Sequence, residues 1–378
     1  MGDFLRGLFY DLVRRCQVLR SLLEHREHHP DVTGYAIQIL DWIAQIEGEI
    51  VGLMADPTLG TPPLLANNLR DYRLRAQLIK LLEWFPVPAI LCYGPSDHYF
   101  FTLMTATTSQ INYPFPLPIV SALNKGYYWS KPEFNLLGAP VLEGHSLLGL
   151  PDLFHELGHV VVHQRGDDLL GQFEGELRAH FATERQRVHD EQKPPEYEII
   201  LEQIQEQWID AWMIEFASDM IATYLVGPAY GWANLRLCSS SLSDDVFRPG
   251  PDDVGATHPS DDARLQGIVK ILNLSGLEAD VRQIERRWDD YVTLTGHNVP
   301  QDYALCYPPV LSERLTQLVY HGCTGLGLRV FTEQASTSGD INIPMLVNDA
   351  WKEFLTRPDK YPQWEESRLA ELKRSLGV

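Results

Sequence analysis

No uninterrupted apolar run in this 378-residue chain reaches the ~18 residues that a membrane-spanning helix needs. Cysteine is scarce and scattered: five residues, at positions 16, 92, 238, 306 and 323, with no C-x-x-C pair. That spacing excludes a thiolate zinc knuckle and offers no disulfide framework, so a reducing cytoplasm is the expected compartment. Basic side chains are also short, 31 against 51 acidic ones, for a formal net charge of −20. Nucleic-acid backbones and anionic lipid surfaces would repel such a chain, so neither is an expected partner. The N-terminus lacks a signal-peptide core, because Asp3, Arg6 and Asp11 interrupt its apolar residues. Arg6 also stands where a myristoylation signal carries Ser or Thr. The expectation is a soluble cytoplasmic protein.

What the chain has is helical periodicity. Leu5, Leu8, Leu12, Leu19, Leu22 and Leu23 recur at helical spacing, and so do Ile37, Leu40, Ile43, Ile46, Ile50 and Leu53 beyond a break at His29-Pro30. Two amphipathic helices joined by a short turn bury such stripes against each other. Pro57 to Pro63 reads as a loop, and Asn68 to Trp84 as a third helix. A packed bundle is the plainer reading of this region; an arm for self-association or a regulatory partner is the sharper one. Between Val87 and Leu142 the character changes. Ala89 to Tyr93 and Tyr99 to Leu103 are short β-prone runs, and Pro114, Pro116 and Pro118 exclude both a central strand and a helix. A small sheet is expected here. Helical patterns return over Leu169 to Glu191 and Glu196 to Leu225, the latter stopped by Gly227-Pro228. A polar loop follows from Ser239 to Thr257 and contains Pro249-Gly250-Pro251. Further helices are expected over Asp261 to Leu272, Leu277 to Tyr291, Leu311 to Tyr320 and from Met345 onward. The predicted fold class is mostly α (α+β). Its expected regions are 1–86, a helical hairpin or bundle; 87–275, a catalytic core with the small sheet; and 276–378, C-terminal helices.

One pentad carries chemistry. His155-Glu156-Leu157-Gly158-His159 spells H-E-x-x-H, and a helix puts residues i and i+4 on one face, so both imidazoles can point at a single cation. Glu156 is left beside the open coordination position, where it can take a proton from a bound water. Leu153, Phe154, Leu157, Val160 and Val161 give the pentad an apolar frame, and Gly158 permits another backbone to come close. A third ligand is offered by Glu215, which lies four residues before Asp219 on a face otherwise lined by Trp208, Trp212, Ala222 and Val226. Two carboxylates on such a face need partners. A metal ion for Glu215 and a ligand imidazole for Asp219 supply them; arginine side chains are the alternative.

These residues resemble the gluzincin pattern of an H-E-x-x-H helix followed by E-x-x-x-D on a second helix. The resemblance is closer to the catalytic domains of the CAAX prenyl endopeptidase and the HtpX heat-shock peptidase. That group has E-F-x-x-D-x-x-A and then His-Pro followed by Arg. Here Glu215-Phe216-Ala217-Ser218-Asp219-Met220-Ile221-Ala222 precedes Thr257-His258-Pro259 and Arg264. The likeness covers roughly residues 136–267. It implies a zincin-like core with one catalytic zinc ion held by His155, His159 and Glu215, Glu156 as general base and a protein or peptide substrate. The membrane-spanning helices of those relatives have no counterpart in this chain, so prenylated substrates do not carry over.

His258 is the candidate to donate to a developing oxyanion; the plainer reading is that Thr257 or His258 caps a helix starting at Pro259, and the two can hold together. Tyr230 and Tyr224 compete for the donor role, Tyr230 by swinging near the cleft. His163 faces a position that Glu215 fills, and His25, His28 and His29 are expected to be solvated. The expected activity is endopeptidase hydrolysis, with regulation through the accessory helices as an extension of it. A binding or scaffold protein with a vestigial metal site is the alternative.

Overall fold

The computed structural model describes residues 2–59, 61, 64–122, 127–240, 245–250, 253, 255–332 and 341–378, and the side chains of 2–4, 141, 142 and 166–168 lie outside that description. Parts of the expected Pro57 to Pro63 and Ser239 to Thr257 loops, including Pro251, fall outside it too. Helix dominates the described residues, which hold three strands of three residues each. Among the described residues no helix is long and apolar enough to cross a membrane.

The chain forms two compact units, Met1–Phe101 with Ile119–Leu123, and Thr102–Pro118 with Asn124–Val378. In the first, α1 (Gly2–Glu24) and α2 (Pro30–Ala55) pack together, and α3 (Leu65–Trp84) packs on α1. The break at His29-Pro30 is where the sequence puts it. The buried stripe is rotated from the expected one. Leu5, Phe9, Leu12, Cys16, Leu19 and Leu23 face inward on α1, and Val32, Ala36, Ile39, Ile43, Ile46 and Ile50 on α2. Both sets advance by alternating steps of four and three, the spacing that keeps a seam facing its partner. Leu22 and Ile37 are exposed instead.

Both runs expected to be strands are helical. α4 (Pro86–Leu91) contains Ala89 to Leu91, and α5 (Pro95–Gln110) contains Tyr99 to Leu103. Each helix opens on a proline, whose fixed φ suits a first helical position. The Asp97 carboxylate holds the α5 start by accepting from the Gly94 amide at 2.9 Å. The β preference of Ile, Tyr and Phe yields to burial on a helix: Ile90 is buried on α4, which packs against α1, α2 and α3, and Tyr99 and Phe100 are buried on α5.

The strands are β1 (Ile119–Ser121), β2 (Trp129–Lys131) and β3 (Leu136–Gly138). β2 pairs antiparallel with β3, Trp129 opposite Gly138, and the indole of Trp129 fills the space that a side chain at 138 would need. The stretch from Tyr113 to Pro118 holds neither strand nor helix, as its prolines require.

In the second unit α6 (Leu150–Gln164) packs closely on α9 (Met213–Val226). Between them run α7 (Gly166–Asp190), α8 (Glu196–Gln207) and a π-helical turn over Trp208–Trp212, so the expected single helix from Glu196 to Leu225 is interrupted. The unit continues through α10 (Pro228–Ser240), α11 (Asp261–Leu274), α12 (Glu278–Thr295), α13 (Tyr303–Cys306), α14 (Pro309–Gly325), α15 (Ile343–Thr356) and α16 (Tyr361–Leu376). The contacts do not set residues 276–378 apart as a region of their own. α12 packs on α10 and α11, while α14 and α15 pack on α9.

Candidate metal centre

The site begins with the closeness of α6 and α9. A Cβ at Gly158 would stand 2.9 Å from both the Ser218 Cα and its carbonyl oxygen, so the missing side chain lets the two backbones touch. Across that contact the Nε2 atoms of His155 and His159 lie 3.1 Å apart. The Oε2 atom of Glu215 lies 3.3 Å from the first and 3.6 Å from the second. An ion bonded at about 2.0–2.2 Å in tetrahedral geometry requires its ligand atoms to be about 3.3–3.6 Å apart. The three separations bracket that edge. Glu215 Oε2 is also buried and has no hydrogen-bond partner among the described residues. A buried carboxylate oxygen left so is costly unless a cation takes it, and two imidazoles with a carboxylate are donors that suit zinc. The residues therefore fit the ion.

Behind His155 stands Asp219, fully buried, its Oδ1 2.8 Å from the Nδ1 of His155. This contact fixes the proton on Nδ1 and leaves Nε2 free to bind. Arg264, on the second turn of α11, donates to both oxygens of Asp219, from Nε at 2.7 Å and Nη2 at 2.8 Å. Asp219 thus meets both of its expected alternatives at once, imidazole on one side and arginine on the other. Burial works against the Asp219 charge, but Arg264 and His155 hold its carboxyl well below the usual range. Burial likewise opposes the Glu215 charge, and the two imidazoles beside it outweigh that. For His155, burial alone would lower the imidazole pKa; Asp219 and Glu215 reverse the effect and raise it to about 10.

Tyr230 is not at the cleft. Its side chain is buried, its hydroxyl donates to Asp219, and it lies 3.0 Å from the Nδ1 of His155. That is the side of the ring away from Nε2, so the expected oxyanion role gives way to bracing. The cause is α10, which starts immediately after Gly227 and turns Tyr230 inward. Tyr224 is also engaged elsewhere, its hydroxyl donating to the Leu328 carbonyl at 3.1 Å.

His258 is at the rim. Its Nε2 lies 3.4 Å from the same Glu215 oxygen, and 52 % of its side chain is exposed. The π-helical turn helps to place it: the Trp212 indole N–H donates to the Ala256 carbonyl at 3.1 Å, and the Gln207 side chain donates to that carbonyl too. π-helical turns are frequent beside functional sites. The competing reading of His258 as a helix cap is not met, because the side chain of Ser260 caps α11 by accepting from the Ala263 amide. Glu156 is buried next to His155 and coupled to it electrostatically. His163, one turn beyond His159, is exposed.

Arg264 is visible in the sequence as part of the His-Pro motif, but its partner is not. The available signal was a charged residue on an apolar helix face, which demands a buried counter-charge. The bracing by Tyr230 and the cap at Ser260 had no such signal. Compared with protein-family models, curated proteins and solved structures, the chain matches none.

Proposed function

We propose that this chain is a zinc-dependent endopeptidase with a zincin-like core, in which His155, His159 and Glu215 hold one catalytic ion. The observation that carries the reading is the convergence of three ligand atoms, 3.1, 3.3 and 3.6 Å from one another, one of them a buried Glu215 oxygen that has no hydrogen-bond partner among the described residues. The resemblance of the pentad, the E-x-x-x-D helix and the His-Pro segment to the CAAX and HtpX peptidases supports it. A zinc ion there supplies Lewis acidity, polarising the scissile carbonyl and lowering the pKa of water.

The protein residues divide the remaining work. Glu156 takes the proton of the attacking water and returns it to the leaving amine. His258, held at the rim by its loop, donates to the oxyanion as charge develops. Asp219 orients His155, with Arg264 and Tyr230 holding Asp219 in turn. β2 lies at the end of the three-stranded sheet, beside β3, and packs beside α6.

The test is a cleavage-site profile on a denatured proteome, run with the wild-type protein and with Glu156→Gln. Cleavage by the wild type alone, at equal zinc content, is expected. Zinc-replete wild-type protein that cleaves nothing favours the scaffold reading, and full activity of the variant removes Glu156 as the base.

A further inference from the structure

We propose that the N-terminal unit holds a second metal site, formed by His29, Asp31 and His98, for a zinc-class transition-metal ion. It does not rest on the peptidase reading. One ligand atom from each residue lies within 4.8 Å of the others. They focus on a single point: Asp31 Oδ2 is 2.6 Å from His98 Nδ1 and 3.3 Å from His29 Nδ1.

The backbone prepares this meeting from two directions. Pro30 separates His29 from Asp31 and opens α2, so the imidazole comes from the N-cap residue, whose Nδ1 accepts from the Asp31 amide at a long 3.4 Å that an ion would replace, and the carboxylate from the first helical turn. His98 comes from the first turn of α5. That turn is anchored by Asp97, which accepts from the Gly94 amide at 2.9 Å and from the Ala122 amide at 2.6 Å. Tyr93 donates at 2.6 Å to the same Asp31 Oδ2 and so holds the carboxylate in place, as outer partners of metal ligands do.

Two imidazoles and one carboxylate select zinc, cobalt, nickel or copper over calcium or magnesium, which prefer all-oxygen sites. The side chains of His29 and His98 are 44 % and 41 % exposed, against 16 % for Asp31, so water can complete the coordination. At 2.6 Å His98 and Asp31 are hydrogen-bonded, so the ion would replace that bond, with the half-exposed His98 ring turning to open the separation to the tetrahedral edge of about 3.3 Å. The bound ion would tie the start of α2 to the start of α5, joining ligands 67 residues apart in the chain.

The test counts zinc on the full chain after dialysis against a small excess of the ion. Two equivalents per wild-type chain are expected, falling to one in His98→Gln and to one in Asp31→Asn. His155→Gln/His159→Gln should keep one equivalent and lose it on addition of His98→Gln. Both His98 and Asp31 stand at helix starts, and circular dichroism checks that their variants keep the fold. A zinc count unchanged from wild type in His98→Gln overturns the proposal. One equivalent in wild type that disappears with His98→Gln would uphold the outer site while refuting the inner one.

Discussion

The two imidazole–carboxylate clusters use the same donors but are built differently. His155, His159 and Glu215 project from two helices packed backbone to backbone, and the network behind them is buried to the last atom of Asp219. His29, Asp31 and His98 project from two helix starts, with Tyr93 as their brace and half-exposed rings in front. The difference is one of preorganisation. In the inner cluster the fold supplies the geometry before any ion arrives; in the outer one an ion would finish it. An inner site of this kind suits chemistry, where ligand positions must not drift, and an outer one suits cross-linking.

The contrast is broken most severely at Asp219. Asp219→Ala leaves the Arg264 guanidinium buried without its partner and should cost about 3–5 kcal/mol, read from urea unfolding. The same change releases the Nδ1 of His155, so zinc affinity at the inner site should fall about 10–100-fold. Wild-type stability and affinity in this variant would mean that the network is not a support.

Gly158→Ala attacks the helix contact instead of the charges. The added Cβ meets Ser218 backbone at 2.9 Å, so α6 and α9 must separate, at about 1–3 kcal/mol. Activity should fall with it, because His155 and His159 move away from Glu215. No change in either would show that the contact is slack.

A pH series sharpens the comparison. In metal-free protein the His155 pKa is raised to about 10 from an ordinary value near 6.5. Its contribution to stability is therefore complete below about pH 6.5 and lost as the pH climbs through about 10. Chelator-treated protein should lose stability over that window, measured by denaturation at each pH. Zinc-loaded protein should not, since the ion replaces the proton. Parallel curves for the two forms would contradict binding at His155.

The smallest effect belongs to the outer brace. Tyr93→Phe removes one hydrogen bond to the Asp31 carboxylate and should cost about 1.5 kcal/mol in stability, the lower end for a bond to a charged group. A loss as large as that at Asp219 would erase the distinction between the clusters.

The same contrast explains what could be read in advance. His155 and His159 are four residues apart on one helix, and Glu215 and Asp219 repeat that spacing on another, so local periodicity puts each pair on a face. His29, Asp31 and His98 share no helix face, and only the folded unit brings them together; His29 was expected merely to be solvated. The helix content followed from apolar spacing and from Pro and Gly stops. Ala89 to Tyr93 and Tyr99 to Leu103 misled because aromatic and β-branched residues take strand or helix according to what they pack on, and here Pro86 and Pro95 started helices. The rotated stripe on α2, with Ile39 buried and Ile37 exposed, has the same origin: several isoleucines compete, and α1 decides which faces inward. Arg264 was visible in its motif, but its bond to Asp219 spans 45 residues and comes from tertiary packing.

The central claim is that Glu156 and the inner cluster act together in peptide hydrolysis. Its most direct test is peptide cleavage by wild type and Glu156→Gln at matched zinc content. The account predicts a fall of about 10²–10⁴-fold with zinc content unchanged. Equal cleavage by the two proteins would contradict it.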